Sequence, residues 1–333
     1  MFDLNDVCLF WFHDIDKLTQ FFICGTHNLN VNLLTLQFAT VLCAQQGPAK
    51  ITRSKRKQGN VTPSPISLLV CDIDGTLVRH DKSLPDANVA AIRDLTARGV
   101  AVSLISARPA AGMLPIAEKL TLCGPFGAFN GGTIFTGDGT ELSAAQVPPA
   151  LAAQLLDLYA KAKVTIWLFA TNRWLSNDLA EPHTPREVLS SGLHPEEMLD
   201  VAAFLDDADK IVAVCDDRDK MDALEQRART LVGSAATLVR SQDYYLDCTA
   251  LTANKGDGVT RLAQLYGVPL DEVAVIGDQA NDVAMFRRAG LAIAMGQASA
   301  AVQAEAQCVA TSNEDAGVAD AIRRFVVPRL AKK

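Results

Sequence analysis

The sequence predicts an α/β protein, a Rossmann-like parallel-sheet core interrupted by an inserted α+β domain. Three observations predict it. Apolar runs near 67–71, 100–105 and 126–129 alternate with helical stripes, the strand–helix–strand rhythm of a parallel sheet. The same rhythm resumes at 255–294 after a middle stretch rich in hairpin signals. At 333 residues the chain exceeds the usual single-domain size, so two domains are expected.

Composition narrows the class. Hydrophobic content of 49% and charged content of 21% describe an ordinary soluble globular protein. The net charge of −7 argues against a nucleic-acid binder, which would carry a basic face. Eight cysteines without a CxxC pair read as thiols of a reducing compartment, not a disulfide framework. No span reaches the ~18 apolar residues of a membrane helix, and no secretory signal pattern opens the chain. The expectation is a cytoplasmic protein with neither nucleic-acid nor membrane partners; the oligomeric state is left open.

Residues 1–64 stand apart. Six of the 13 phenylalanines fall there with little periodicity, and a basic stretch from Lys50 to Lys57 leads to Thr62-Pro63-Ser64-Pro65. The expectation is a disordered extension outside the folded part. Ser67–Cys71 then reads as a strand, and Ser83-Leu84-Pro85-Asp86 as a helix start capped by Ser83. Val89, Ile92 and Leu95 share a helical stripe that Gly99 closes. Val100–Ile105 is the second strand and Phe126–Phe129 the third, with a helix between them to about Leu120. The core is expected over 65–135 and 244–333, and the inserted α+β domain over 136–243. Within the insertion, Pro148–Lys161 reads as a helix, Val164–Phe169 as a strand and Lys220–Val232 as a helix. Glu181–Asp207 gives no clear element. The core returns with a helix from Lys255 to Tyr266, a strand at Val273–Ile276 and another at Leu291–Ala294.

Chemistry gathers where these strands end. Asp72 and Asp74, i and i+2 in extended backbone, start on one face, and two adjacent carboxylates call for a cation or a shared proton. Ser106 follows the second strand, Lys255 opens a helix, and Asp278, Asn281 and Asp282 follow the strand at 273–276. Carboxyl ends of parallel strands converge on one edge, which is where such folds bind ligands. Asp72 and Asp278 are hard oxygen ligands suited to Mg²⁺. Ser106 and Lys255 suit phosphoryl oxygens. Asp72 is placed to attack phosphorus, and Asp74 to pass a proton to the leaving oxygen and take one from water.

These motifs resemble those of the haloacid dehalogenase superfamily of phosphatases. Asp72-Ile73-Asp74-Gly75-Thr76 is similar to its first motif, Ser106 to the second, Lys255 to the third, and Gly277-Asp278 with Asn281-Asp282 to the fourth. The insertion between the second and third motifs, Asn130-Gly131 and the late Ser312–Val318 stretch resemble the Cof-type subgroup with its type IIB α+β cap. The resemblance covers roughly Ser67 to Val327. It implies Asp72 as nucleophile and Mg²⁺ ligand, and Asp74 as acid/base and ligand through its backbone carbonyl. It further implies Ser106 and Lys255 as phosphoryl holders, Asp278 as the remaining metal ligand, Asn130 and Asn281 as substrate contacts, and Asp282 as the group orienting Lys255 or a metal-bound water. Two features depart from the subgroup: Ser106-Ala107-Arg108 stands where Thr-Gly-Arg is usual, and Gln279 where a smaller residue is common. Serine keeps the hydroxyl, and Ala107 and Gln279 are expected to tune the site.

The implied activity is Mg²⁺-dependent hydrolysis of small phosphomonoesters, sugar phosphates or related metabolites, through an aspartyl-phosphate. A phosphosugar mutase-type transferase and a silent phosphometabolite-binding regulator are the alternatives. A calcium loop is excluded, since registering Gly75 as its glycine puts Val70 at the first ligand position. Trp167 and Trp174 read as cap packing residues and His183 as a surface histidine. Arg108 reads as support for the loop after the second strand.

Overall fold

The computed structural model describes residues 64–331. The extension expected over 1–64 therefore lies outside the described residues, apart from Ser64.

The core begins with β1 (Leu68–Asp72), all five residues buried. Then follow α1 (Asp86–Ala97), β2 (Ala101–Ile105), α2 (Ala110–Leu120) and β3 (Phe126–Ala128). Two antiparallel strands, β4 (Thr133–Phe135) and β5 (Glu141–Ala144), extend the same sheet. The insertion supplies α3 (Pro149–Ala162), β6 (Thr165–Ala170), β7 (Arg173–Ser176), α4 (Thr184–Ser191) and β8 (Pro195–Glu197). It continues through β9 (Ala208–Val214), α5 (Arg218–Val232), β10 (Ala236–Gln242) and β11 (Tyr245–Ala250). The chain returns through α6 (Lys255–Tyr266), β12 (Val273–Gly277), α7 (Val283–Phe286), β13 (Leu291–Ala294), α8 (Ala300–Gln303), β14 (Cys308–Val309) and α9 (Gly317–Ala321).

The core sheet has eight strands in the order β14-β13-β12-β1-β2-β3-β4-β5, parallel from β14 to β3. Alternation along β1 sets the layers. Leu69 and Cys71 pack with Ile92, Met113 and Val318 of α1, α2 and α9. Leu68 and Val70 pack with Val259, Met285 and Val302 of α6, α7 and α8. A strand buried on both faces reads as one apolar run, as this one does. The crossover order leaves β1 between β12 and β2, with all three carboxyl ends at one edge.

The cap sheet has six strands in the order β10-β11-β9-β6-β7-β8. One face carries Ile166, Leu168 and Leu246 against α3 and α5. The other carries Trp167, Phe169 and Trp174, which pack with core residues and match the packing role expected of the tryptophans.

Strand pairing moves the expected domain boundaries. Residues 141–144 belong to the core sheet and residues 245–250 to the cap sheet, so the insertion runs later at both ends than 136–243. Alternation marks a strand without saying which sheet it joins. Ser83 does not cap α1; Pro85 holds that position and the Ser83 N–H donates to Asp81 Oδ1 at 2.9 Å. The stretch left unplaced contains α4 and β8.

One buried carboxyl joins the two sheets. Thr133 Oγ1 of β4 donates to Asp209 Oδ1 of β9 at 3.2 Å. Burial, reinforced by the Glu141 charge and only partly offset by that hydrogen bond, raises Asp209 from 3.8 to about 7. The fold therefore holds this proton more tightly than the unfolded chain does. Its contribution to stability, at most about 4 kcal/mol, is complete below the unfolded value and drains as pH rises through 7. Asp209→Asn is expected to raise the melting temperature at pH 8 and change it little at pH 4. Equal effects at both pH values would contradict this reading.

Candidate active site

The site starts where β1 stops. Asp72 ends the strand and is 4% exposed. The turn after it needs glycine twice over. Gly75 has φ of +78°, and a Cβ there would lie 2.4 Å from Asp278 Oδ2. Without a side chain at 75, the loop after β12 can close on β1. Thr76 Oγ1 then donates to Asp278 Oδ1 at 3.2 Å.

Lys255 enters from the first turn of α6, whose start is fixed by Asn254 Oδ1 accepting the Asp257 N–H at 3.0 Å. Its Nζ donates to Asp72 Oδ1 and to Asp282 Oδ1, both at 2.6 Å, in a setting where the lysine is 2% exposed. The other Asp282 oxygen accepts the N–H groups of Asp278 at 2.7 Å and Gln279 at 2.8 Å. Asp282 is thereby committed on both oxygens. Carboxylate oxygens of Asp72, Asp278 and Asp282 all lie within 4.8 Å of one another.

Electrostatics follow from burying three carboxylates around one ammonium. Burial pushes Asp72 up, Asp282 and Asp278 add to that, and Lys255 only partly opposes it. Burial, with the Asp282 charge, raises Asp278 to about 6. For Lys255 burial acts downward but the two aspartates outweigh it, so the ammonium is held well above its usual range. Such a cluster has room in its charge balance for another cation.

The Asp74 carboxylate does not join this cluster, contrary to the side-by-side start expected of i and i+2. Asp72 ends the strand, and the chain turns before Asp74. Arg108 grips Asp74 through Nε to Oδ2 at 2.6 Å and Nη2 to Oδ1 at 2.7 Å, and Lys82 Nζ adds a contact of 2.6 Å. Burial alone would raise Asp74, but Arg108 and then Lys82 bring it down to about 2.

Ser106 follows β2 and is 1% exposed; its Oγ accepts the Arg108 N–H at 3.2 Å. Asn130, left-handed with φ of 61°, follows β3 and donates its N–H to Ser106 O at 2.7 Å. Asn281 Nδ2 donates to Asn130 Oδ1 at 3.1 Å, so the two asparagines meet at the rim. Gln279 Nε2 donates to Asp278 Oδ2 at 3.1 Å, a contact a smaller residue would lack. The sequence pointed to Arg108 only as loop support and did not single out Lys82. Lys82 lies in an irregular loop with φ of 69° and has no motif to mark it.

A parallel sheet with an inserted cap and a lysine-bridged carboxylate cluster at its strand ends defines a capped α/β enzyme of the phosphoryl-handling kind. The comparisons make the class specific. The family model for haloacid dehalogenase-like hydrolases matches residues 69–322, and the chain belongs to that family. It is a Cof-type member and a phosphoric monoester hydrolase.

A 5-amino-6-(5-phospho-D-ribitylamino)uracil phosphatase of Bacillus subtilis is 26% identical over 262 residues, 79% of this chain and 96% of that protein. An HMP-PP phosphatase of Serratia proteamaculans is 24% identical over 233 residues, 69% of this chain and 84% of that one. Among solved structures, a haloacid dehalogenase-like hydrolase from Bacteroides thetaiotaomicron superposes with a TM-score of 0.72 at 25% identity, covering 78% of this chain and 99% of its own. A subclass IIB sugar phosphatase, at 20% identity and a TM-score of 0.66 over 78% of this chain and 98% of its own, shows the fold alone. Among the described residues no helix is long and apolar enough to cross a membrane.

Proposed function

We propose that the protein is a Mg²⁺-dependent phosphatase of small phosphorylated metabolites, working through an aspartyl-phosphate on Asp72. The observation that carries this is Lys255 Nζ bridging Asp72 and Asp282, with Asp278 beside them. The relatives' names, both phosphatases of phosphorylated small molecules, support the substrate class.

The donor set fits Mg²⁺. Hard carboxylate oxygens from Asp72 and Asp278, with the Asp74 backbone carbonyl, would hold it, and Asp282 is already occupied by Lys255 and two N–H groups. Bound there, the ion offsets charge on the phosphoryl oxygens and on the cluster itself.

Asp72 attacks phosphorus, forming its O–P bond as the bond to the leaving oxygen breaks. Lys255 and Ser106 hold phosphoryl oxygens, while Asn130 and Asn281 bound the rim. Asp74 protonates the leaving oxygen, then takes a proton from the water that attacks the aspartyl-phosphate, releasing phosphate and regenerating Asp72. Gripped by Arg108 and Lys82, Asp74 is ionised in this conformation. The acid role therefore requires it to leave both cations before it carries a proton. The cap excludes water during transfer.

Purified protein is expected to release inorganic phosphate from p-nitrophenyl phosphate with Mg²⁺ and to lose that activity with EDTA. Absence of release with Mg²⁺ would overturn the reading. Release of phosphate from sugar phosphates, without formation of an isomeric sugar phosphate, separates it from a mutase.

A further inference from the structure

The cap carries a second polar cluster that the phosphoryl chemistry leaves unused. Alternation along β6, β9 and β11 sends Leu168, Ile211 and Leu246 into the helices α3 and α5. The opposite face receives Trp167, Phe169, Lys210, Tyr245 and Asp247, brought together by the pairings of Phe169 with Lys210 and of Asp247 with Val212. Lys210 Nζ lies 3.1 Å from Asp247 Oδ2. It also lies 5.8 Å from the centroid of the Phe169 ring.

This face turns toward the active site. Phe169 meets Phe129, next to Asn130, with ring centroids 6.0 Å apart. Helix α4 lands on α2 so closely that a Cβ at Gly112 would sit 2.3 Å from Ser190 O. Gly112 O in turn accepts from Arg108 Nη1 at 3.1 Å, the arginine that grips Asp74. Glu187 projects from the same α4, with Ser190 Oγ 3.3 Å from its Oε2. Burial pushes Glu187 up, and the charges it feels are Lys210, Asp247 and Asp74. The cluster thus lies across from the group that protonates the leaving oxygen, where the alcohol half of a phosphomonoester would sit.

Its chemistry is specific. Two carboxylates face one ammonium, while Arg108 and Lys82 are committed to Asp74 and Arg186, on the same helix as Glu187, donates to Tyr244 Oη at 3.0 Å. Asp247 Oδ1 has no hydrogen-bond partner among the described residues, and neither do Trp167 Nε1, Trp174 Nε1 and Tyr245 Oη. Those three aromatics are 1%, 0% and 8% exposed, so water does not serve them freely. The two indoles are sealed in the aromatic pack, but Asp247 Oδ1 and Tyr245 Oη belong to residues nearer the open face, and each leaves bonding for a ligand to complete. The unsatisfied carboxylate oxygen asks for a donor, and the excess negative charge repels an anion.

We propose that Glu187, Lys210 and Asp247 form the leaving-group subsite, selecting phosphomonoesters whose alcohol is neutral or cationic and rich in hydrogen-bond donors against those with a second anionic group. The proposal rests on the phosphatase reading above. Hydroxyl and amino donors share this chemistry, and a charge series on one carbon skeleton distinguishes them: glucose 6-phosphate, glucosamine 6-phosphate and 6-phosphogluconate. Each is measured as a competitive inhibitor of p-nitrophenyl phosphate hydrolysis, so that turnover of the sugar is not required.

The wild-type protein is expected to bind both sugars at least roughly tenfold more tightly than 6-phosphogluconate. A tighter glucosamine 6-phosphate assigns the preference to amines, and equal sugars assign it to hydroxyls. Asp247→Asn and Glu187→Gln are each expected to narrow the gap severalfold. Glu187→Gln breaks no ion pair and keeps the test open if Asp247→Asn fails to fold. Equal inhibition constants in the wild type, no inhibition by any of the three, or an unchanged gap in a folded Glu187→Gln overturns the subsite while aryl phosphate hydrolysis leaves the phosphatase reading standing. Failure to hydrolyse the aryl phosphate overturns both.

Discussion

Asp72→Asn is expected to cut phosphate release by at least about a thousandfold while leaving the protein folded. The amide keeps the shape of the side chain and can still accept from Lys255 through its carbonyl oxygen. It loses the negative charge that makes an attacking oxygen, and no neighbouring group replaces it. Asp282 is held by Lys255 and two N–H groups, and Asp278 by Thr76 and Gln279. Stability should not fall. Three carboxylates now crowd one ammonium, and the substitution removes one of them, so the melting temperature is expected to stay level or rise. Steady-state phosphate release with a thermal melt on the same sample checks both halves. Residual activity above a tenth of wild type would sink the nucleophile assignment, and a large fall in melting temperature would mean that the loss of activity reports unfolding.

The parts legible in the sequence were those carried by contiguous residues. β1 announced itself because a strand buried on both faces is one apolar run, and its carboxyl end carries Asp72 directly. α6 and β13 fell on their expected residues, Lys255–Tyr266 and Leu291–Ala294, because a capping asparagine and flanking glycines bound them. What the sequence hid depends on partners far along the chain. Lys82 reaches Asp74 only through the fold of an irregular loop. Glu187 lies on α4, an eight-residue helix with a single buried residue, Ser191, and no apolar stripe to reveal it. Lys210 and Asp247 sit 37 positions apart and meet because β9 and β11 pair in one register. Sheet membership was hidden for the same reason, which is why the core kept β5 and the cap kept β11.

Lys255→Met is expected to produce the largest loss of stability of any single change at the site. The lysine is 2% exposed and bridges Asp72 and Asp282, with Asp278 close by. Methionine fills much of its volume, so cavity formation contributes little and the loss reports charge. Removing the ammonium leaves buried carboxylates that repel one another without a counter-charge. Breaking a buried pair in this way costs about 3–5 kcal/mol, far more than the intact pair contributes over an apolar substitute. A second substitution separates this from general disruption of the loop. Asp282→Asn keeps an acceptor for the Asp278 and Gln279 N–H groups while removing one of the stranded charges. Alone, it should destabilise by losing half of the lysine bridge. Combined with Lys255→Met, it should recover part of the loss, because the two effects share one interaction. Denaturant unfolding of the metal-free wild type, both single variants and the double variant reads that coupling directly. A Lys255→Met loss below about 1 kcal/mol, or strict additivity in the double variant, would mean that the lysine does not hold these carboxylates together.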